Sequence, residues 1–379
     1  MKKQLLPLLL LLAAVPMLFT ACQKEDALLP LQQQDAASLA RVNATPNALL
    51  AGNYADGFFV ANEGWFGHGT GDVHFYSYAG DSLSLNVYHK ENPTGTLGTA
   101  TSTLQYATIF NGKMYIVIKV GGPMVVVDAN TMVETGRISS LPANDGHAFV
   151  GIDASHGFLS AKDGVYPVTL SPLSIGTKIS GISGYTGDMI KAGSYVFALS
   201  QTDGVVAINT SNNTVAQKFG IANLAFAAGK DGNVYYTTSD SLIRINPVTL
   251  ARTRIVKLPF TTPSPWGAWR HAAIASSTVD SAIYIVRNNN FAGGTQLYRY
   301  IFNTPSSITT PFITLPNGQF FYGAGVGYNK DKNELALTTI NGSITGDVNR
   351  ILIYNASTAV LKKTLTYNGW YFPAMPVFH

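Results

Sequence analysis

The sequence predicts an all-β fold, a seven-bladed β-propeller, on three observations. A strand-turn-strand-turn-strand unit recurs seven times; anchored on Phe58, Tyr115, Phe158, Val196, Tyr235, Tyr284 and Ala336, its copies lie 38 to 57 residues apart. Periods of roughly 40 to 50 residues signal propeller blades, because a four-stranded sheet cannot bury both faces until neighbours stack on it. The composition agrees: 46% of residues are hydrophobic and only 12% charged, with 36 glycines among 379 residues, a turn-rich, β-rich balance far below the charge of an ordinary globular chain.

The clearest unit is Asn111 to Ile138. Met114 to Lys119 and Met124 to Val127 are apolar, β-branched runs of strand length, and Gly121-Gly122-Pro123 supplies the turn between them. Asp128 ends the second run, Asn130-Thr131 turns the chain, and Met132 to Ile138 alternates as a half-exposed third strand. The pattern returns at Tyr195 to Lys218 and from Asn233 to Val256, and in looser form from Phe58, Gly157, Ile283 and Glu334. The C-terminal run Ala359 to Thr366 has no following blade, so the chain ends are expected to meet in one sheet or in adjacent ones.

Taken in order, residues 1–21 have a basic start at Lys2-Lys3, an apolar centre from Leu5 to Phe19, and small residues before Cys22. This is the layout of a secretory signal. Cys22 is the only cysteine, so no intrachain disulfide forms. Its position resembles the lipobox of bacterial lipoproteins, which implies lipidation at Cys22 and attachment to a membrane through that lipid. Gln23-Lys24-Glu25-Asp26 resembles the short signal that sends Bacteroidetes lipoproteins to the cell surface. Residues 22–56 have no sustained strand period and read as a flexible tether, leaving 57–379 for the propeller. The formal charge of +4 falls to +2 without Lys2 and Lys3, and the basic residues form no run or stripe, so no nucleic-acid partner is expected.

The first blade carries the most distinctive stretch, Phe58 to Gly71, FFVANEGWFGHGTG, followed by the strand VHFYSY. A strand ending in Asn-Glu-Gly-aromatic-Phe-Gly, then a glycine-rich turn, resembles the opening of the YncE-like propeller lipoproteins of Bacteroidetes, over roughly Gly57 to His379. That family includes surface vitamin B12-binding propellers. The resemblance implies a cell-surface protein of the outer membrane that captures a corrinoid, or another large polar small molecule, for a TonB-dependent transporter. No contact residue carries over one by one.

Loops opening on one propeller face usually hold the site. Turns after the second strands offer Asn62, Glu63, Trp65, Lys119, Arg287 and Asn288; crossovers between blades offer His147, Trp266, Trp269, Arg270, Tyr322 and Trp370. All four tryptophans fall in loops, either as an amphipathic binding rim or as plugs between blades. These twelve residues are the candidate ligand contacts.

Catalytic patterns are sparse. The seven histidines show no HxxxH or HxH spacing, and there is no GxSxG elbow or P-loop. Asp72 and Asp231 lie beside glycines as Asx-turn residues, and Glu63 is either a lone acid over the channel or the holder of its own loop. The expectation is ligand capture without chemistry, metal or cofactor. A propeller enzyme of lactonase or lyase type, or a structural or adhesive surface protein, are the alternatives.

Overall fold

A computed structural model describes residues 53–262, 273–287, 294–342 and 347–379. Seven antiparallel four-stranded sheets form the blades, and each innermost strand packs on the next around a closed ring. The second blade shows the plan: Thr103–Phe110 innermost, then Lys113–Lys119, Met124–Asp128 and the outer Glu134–Ile138. Its second strand is buried along most of its length, whereas its outer strand is half exposed. All seven anchor residues of the sequence repeat lie in second strands and are buried, since that strand has a blade against each face. Each fully buried Val, Ile or Phe there contributes on the order of 1.5–3 kcal/mol.

The recurring unit is therefore the outer three strands of a blade, and an innermost strand precedes it. Closure uses a strand later than expected. Leu361–Asn368 is the outer strand of the seventh blade, while Pro373–Phe378 pairs antiparallel with Gly57–Asn62, setting Phe58 opposite Phe378 and Phe59 opposite Val377. Pro373 and Pro376 hide this strand from a sequence reading, because proline is tolerated only where its missing N–H falls on a sheet edge, as at this innermost position. The folded body also begins ahead of residue 57. Tyr54 is buried, its N–H donates to the Asn130 carbonyl at 2.7 Å, and its hydroxyl reaches Glu91 at 2.6 Å.

The two propeller faces differ in the chemistry of their turns. On the lower face an Asx side chain at the end of the third strand caps the turn. Asp128 accepts from the N–H groups of Asn130 and Thr131, Asn246 from Val248 and Thr249, and Asn355 from Ser357 and Thr358. Four residues after each cap the backbone is left-handed, at Met132, Leu250 and Ala359. The upper face instead carries the long connections, 62–73 within the first blade and 84–103 between the first and second. Short, repeated turns leave little room for specific chemistry, so the site is sought above.

Removing residues 373–379 exposes the Gly57–Asn62 edge and the apolar surface around Phe59 that Val377 covers. The expected result is loss of a single cooperative melting transition, or aggregation, in calorimetry and light scattering. A soluble truncated protein with unchanged melting would mean that the ring does not need its last strand.

Candidate functional site

In six of the seven blades, among the described residues, the pairing of innermost and second strands slips in register. The extra residues are Gln105, His147, Gly187-Asp188, Phe226, Tyr322 to Gly325, and Ala374. A bulge leaves its residue outside the ladder and re-aims its side chain. Three of these residues, Gln105, His147 and Tyr322, enter one polar cluster at the top of the channel.

Glu63 is the centre of that cluster. The Tyr322 hydroxyl donates to its Oε2 at 2.6 Å, the Gln105 side chain also hydrogen-bonds to it, and its backbone N–H donates to the Phe372 carbonyl at 2.8 Å. It thereby ties the seventh, first and second blades together. Burial pushes its carboxyl above the usual range, opposed by the Tyr322 and Gln105 hydrogen bonds and by the charge of Lys119. Lys119 is pushed down by burial, opposed by Asp145 and Glu63. Burial would raise Asp145 too, but the bond and charge of His147, the Val120 N–H and Lys119 outweigh it and hold that carboxyl below its ordinary value. His147 donates from Nδ1 to the Thr186 carbonyl at 2.8 Å, and Tyr185 stacks on its ring at 5.5 Å. The Gln105 Oε1 is buried and meets no hydrogen-bond partner among the described residues.

Beside this cluster, at the seam between the seventh and first blades, rings stack in a column. Trp65 lies 3.6 Å from His68 and 4.4 Å from Trp370, with interplanar angles of 20° and 21°. Phe372 continues inward at 6.3 Å from Trp370 and 5.3 Å from Tyr322. Trp65 and Trp370 are half buried and His68 is exposed, so the column both plugs the seam and presents aromatic surface.

A cavity of about 250 Å³ opens next to the column, bounded by the loop 64–72, the crossover 86–100, Trp370 and Tyr371. Asp72 belongs to its wall. Its carboxylate accepts from the Val73 N–H at 2.6 Å and the Tyr88 N–H at 3.2 Å, and takes the His89 Nδ1–H at 2.5 Å. In place of the Asx turn that the sequence predicts, it caps the short helix Val87–Glu91 and fixes the His89 ring. A larger cavity of about 530 Å³ lies at the lower mouth, lined by Phe226, Ala275, Tyr328 and Lys330 among others. It is remote from the polar cluster, and the Tyr328 hydroxyl at its edge is occupied by Asn333.

Of the expected contacts, the structure brings Glu63, Lys119, His147 and Tyr322 into one cluster and Trp65 and Trp370 into one stack. Asn62 is corrected to a closure residue. It is wholly buried, its amide donates to the Val60 and Asp72 carbonyls, and it accepts from the Tyr367 hydroxyl at 2.7 Å, so it presents no face to a ligand. Arg287 is bonded to Gln296 across its own hairpin at 2.9 Å. Trp266, Trp269, Arg270, Asn288 and Cys22 lie outside the described residues. Sequence reasoning missed Gln105, whose only signal is a polar residue inside the run TLQYATIF, and His89. Among the described residues no group of three His, Cys, Asp or Glu side chains is placed to hold a metal ion, and no helix is long and apolar enough to cross a membrane.

Glu63 has a testable signature. Its folded-state pKa lies above the unfolded one, so its contribution favours folding most at low pH and is lost as pH rises through the folded value. Glu63→Gln removes the charge while keeping an acceptor for Tyr322. Its melting temperature is expected to fall less than the wild type's as pH rises from the carboxylate range to neutrality. Parallel pH profiles for the two proteins would contradict the assignment.

No curated protein sequence matches the chain. Its fold is similar to the crystal structure of a quinonprotein alcohol dehydrogenase-like protein from Bacteroides thetaiotaomicron VPI-5482, with a TM-score of 0.69 and 18% identity over 86% of this chain and 79% of that one. It is also similar to the dihydro-heme d1 dehydrogenase NirN in complex with DHE, with a TM-score of 0.51 and 10% identity over 88% and 78%. At such identities the likeness is one of fold. One family profile, that of a domain of unknown function, DUF5074, matches residues 56–379. With nearly the whole described propeller inside that match, the chain belongs to the DUF5074 family.

Proposed function

We propose that this protein is a ligand-capture propeller, held on the outer membrane by a lipid at Cys22 and exposed at the cell surface. On its upper face it takes a corrinoid, or a similarly broad amide-bearing molecule, and passes it to a TonB-dependent transporter. The observation that carries the reading is the half-exposed column His68–Trp65–Trp370 beside an open cavity. Stacked rings with polar edges are a recurrent platform for large flat ligands. The placement of Tyr54 and His379 supports it: they meet on the lower face, where His379 Nε2 lies 2.8 Å from the Tyr54 carbonyl, away from the upper loops.

An enzymatic reading is favoured by one observation, the raised Glu63 beside the lowered Lys119. A general acid must reach its substrate. Glu63 is 7% exposed and clamped by Tyr322, which suits a structural tie better than proton transfer, and capture remains the stronger reading.

Calorimetric titration of cyanocobalamin into wild type is expected to show saturable binding, weakened by about 1–4 kcal/mol in Trp370→Ala, the hot-spot range. Absence of heat with wild type would remove the corrinoid; equal affinities would remove the column as the site. For the anchor, Cys22→Ser is expected to move the protein from the membrane fraction to the soluble one. A mutant that still sediments with the outer membrane would overturn the lipid assignment.

A further inference from the structure

We infer that the upper-face cavity beside the ring column is a slot for a flat nitrogen heterocycle, the aromatic-base portion of the captured ligand; this rests on the capture reading above. Its volume, about 250 Å³, lies below the roughly 300–1,000 Å³ of sites that enclose drug-sized molecules. It admits a bicyclic ring and excludes a macrocycle, which would have to lie across the face outside it.

The walls suit a planar guest. Four rings line the slot, His68, His89, Trp370 and Tyr371, and the molecule already stacks its own rings here, His68 and Trp370 both lying against Trp65. Every heteroaromatic base has a π-face that an indole or imidazole can meet, whatever its substituents. Backbone forms much of the remainder. At Gly71 a Cβ would come within 1.7 Å of the Asn62 carbonyl oxygen, and Gly98 holds a φ of +128°, so both stay glycine and keep the walls thin. The His89 ring is held through Nδ1 by a carboxylate that three backbone N–H groups, those of Val73, Tyr88 and His89, fix in place. A ring held on that side keeps a set orientation toward a guest.

The test compares three probes on the full-length protein. Cyanocobalamin carries a dimethylbenzimidazole nucleotide; dicyanocobinamide is the same macrocycle without it; α-ribazole is the base nucleoside alone. Cyanocobalamin is expected to bind at least 10-fold more tightly than cobinamide, and α-ribazole to quench tryptophan fluorescence. Ala100→Phe fills the slot from its wall while leaving the Ala100 carbonyl that the Gly67 N–H bonds. It is expected to bring cyanocobalamin down to the cobinamide affinity, leaving cobinamide binding and melting unchanged. Equal binding of the two corrinoids by wild type overturns the slot and leaves capture standing, as does equal weakening of both by Ala100→Phe. Quenching by α-ribazole with no corrinoid bound overturns corrinoid capture and supports the slot. No binding of any probe overturns both.

Discussion

The pairing of Pro373–Phe378 with Gly57–Asn62 is the constraint on which the remaining structure depends. An open stack of seven blades would leave two sheet faces and a strand edge unpaired, and such edges recruit other chains. Closing the ring covers them with the molecule's own last strand. Side chains reinforce the same seam: the Tyr367 hydroxyl on Asn62, the Tyr322 hydroxyl on Glu63, and backbone bonds from Glu63 and Gly64 to Phe372 and Tyr371. His74 sits inside it, fully buried between the edges of Tyr367 and Tyr371, accepting from the Asn86 N–H at 3.1 Å. Burial pushes its pKa down to about 4 from 6.5. A group whose neutral form is the folded one supports the seam fully above its ordinary pKa and loses that support as pH falls toward the folded value.

The closure and the candidate site share residues. Glu63, Tyr322 and Phe372 join blades, and the same loops raise Trp65 and Trp370 to the surface. A stack of this kind contributes on the order of 0.5–1.5 kcal/mol per ring pair beyond area burial, so it stiffens the seam and holds the proposed platform in one arrangement. Preorganisation lowers the cost of ordering a binding surface when the ligand arrives. The lower face, with its repeated Asx-capped turns, carries Tyr54 and His379.

The second strands were legible in the sequence because blades cover both their faces. Runs such as YVFALS and KMYIVIK are continuous and apolar, and each of the seven anchors fell on one. The innermost strands were not legible. They line a channel, they are interrupted by bulges at Gln105, His147 and Asp188, and the last of them contains two prolines. The candidate site was legible as residue types and illegible as a constellation: Glu63 and Tyr322 are 259 positions apart, and no local pattern announces that they touch. Trp65 and Trp370 were found because tryptophan in a loop is noticeable by itself; that they stack on one another follows only from closure. Asn62 was misassigned for the converse reason, since a polar residue at a strand end resembles a rim residue until Tyr367 covers it.

Hydrogen exchange read by mass spectrometry, with and without saturating cyanocobalamin, tests the central claim that the upper face at the closure seam is where the ligand is held. The account predicts slowed exchange in residues 62–73, 84–103 and 368–373, with the Asx-capped lower turns unchanged. Protection confined to the lower turns, around Asn329 to Asn333, would contradict it and move the site to the cavity at the opposite mouth.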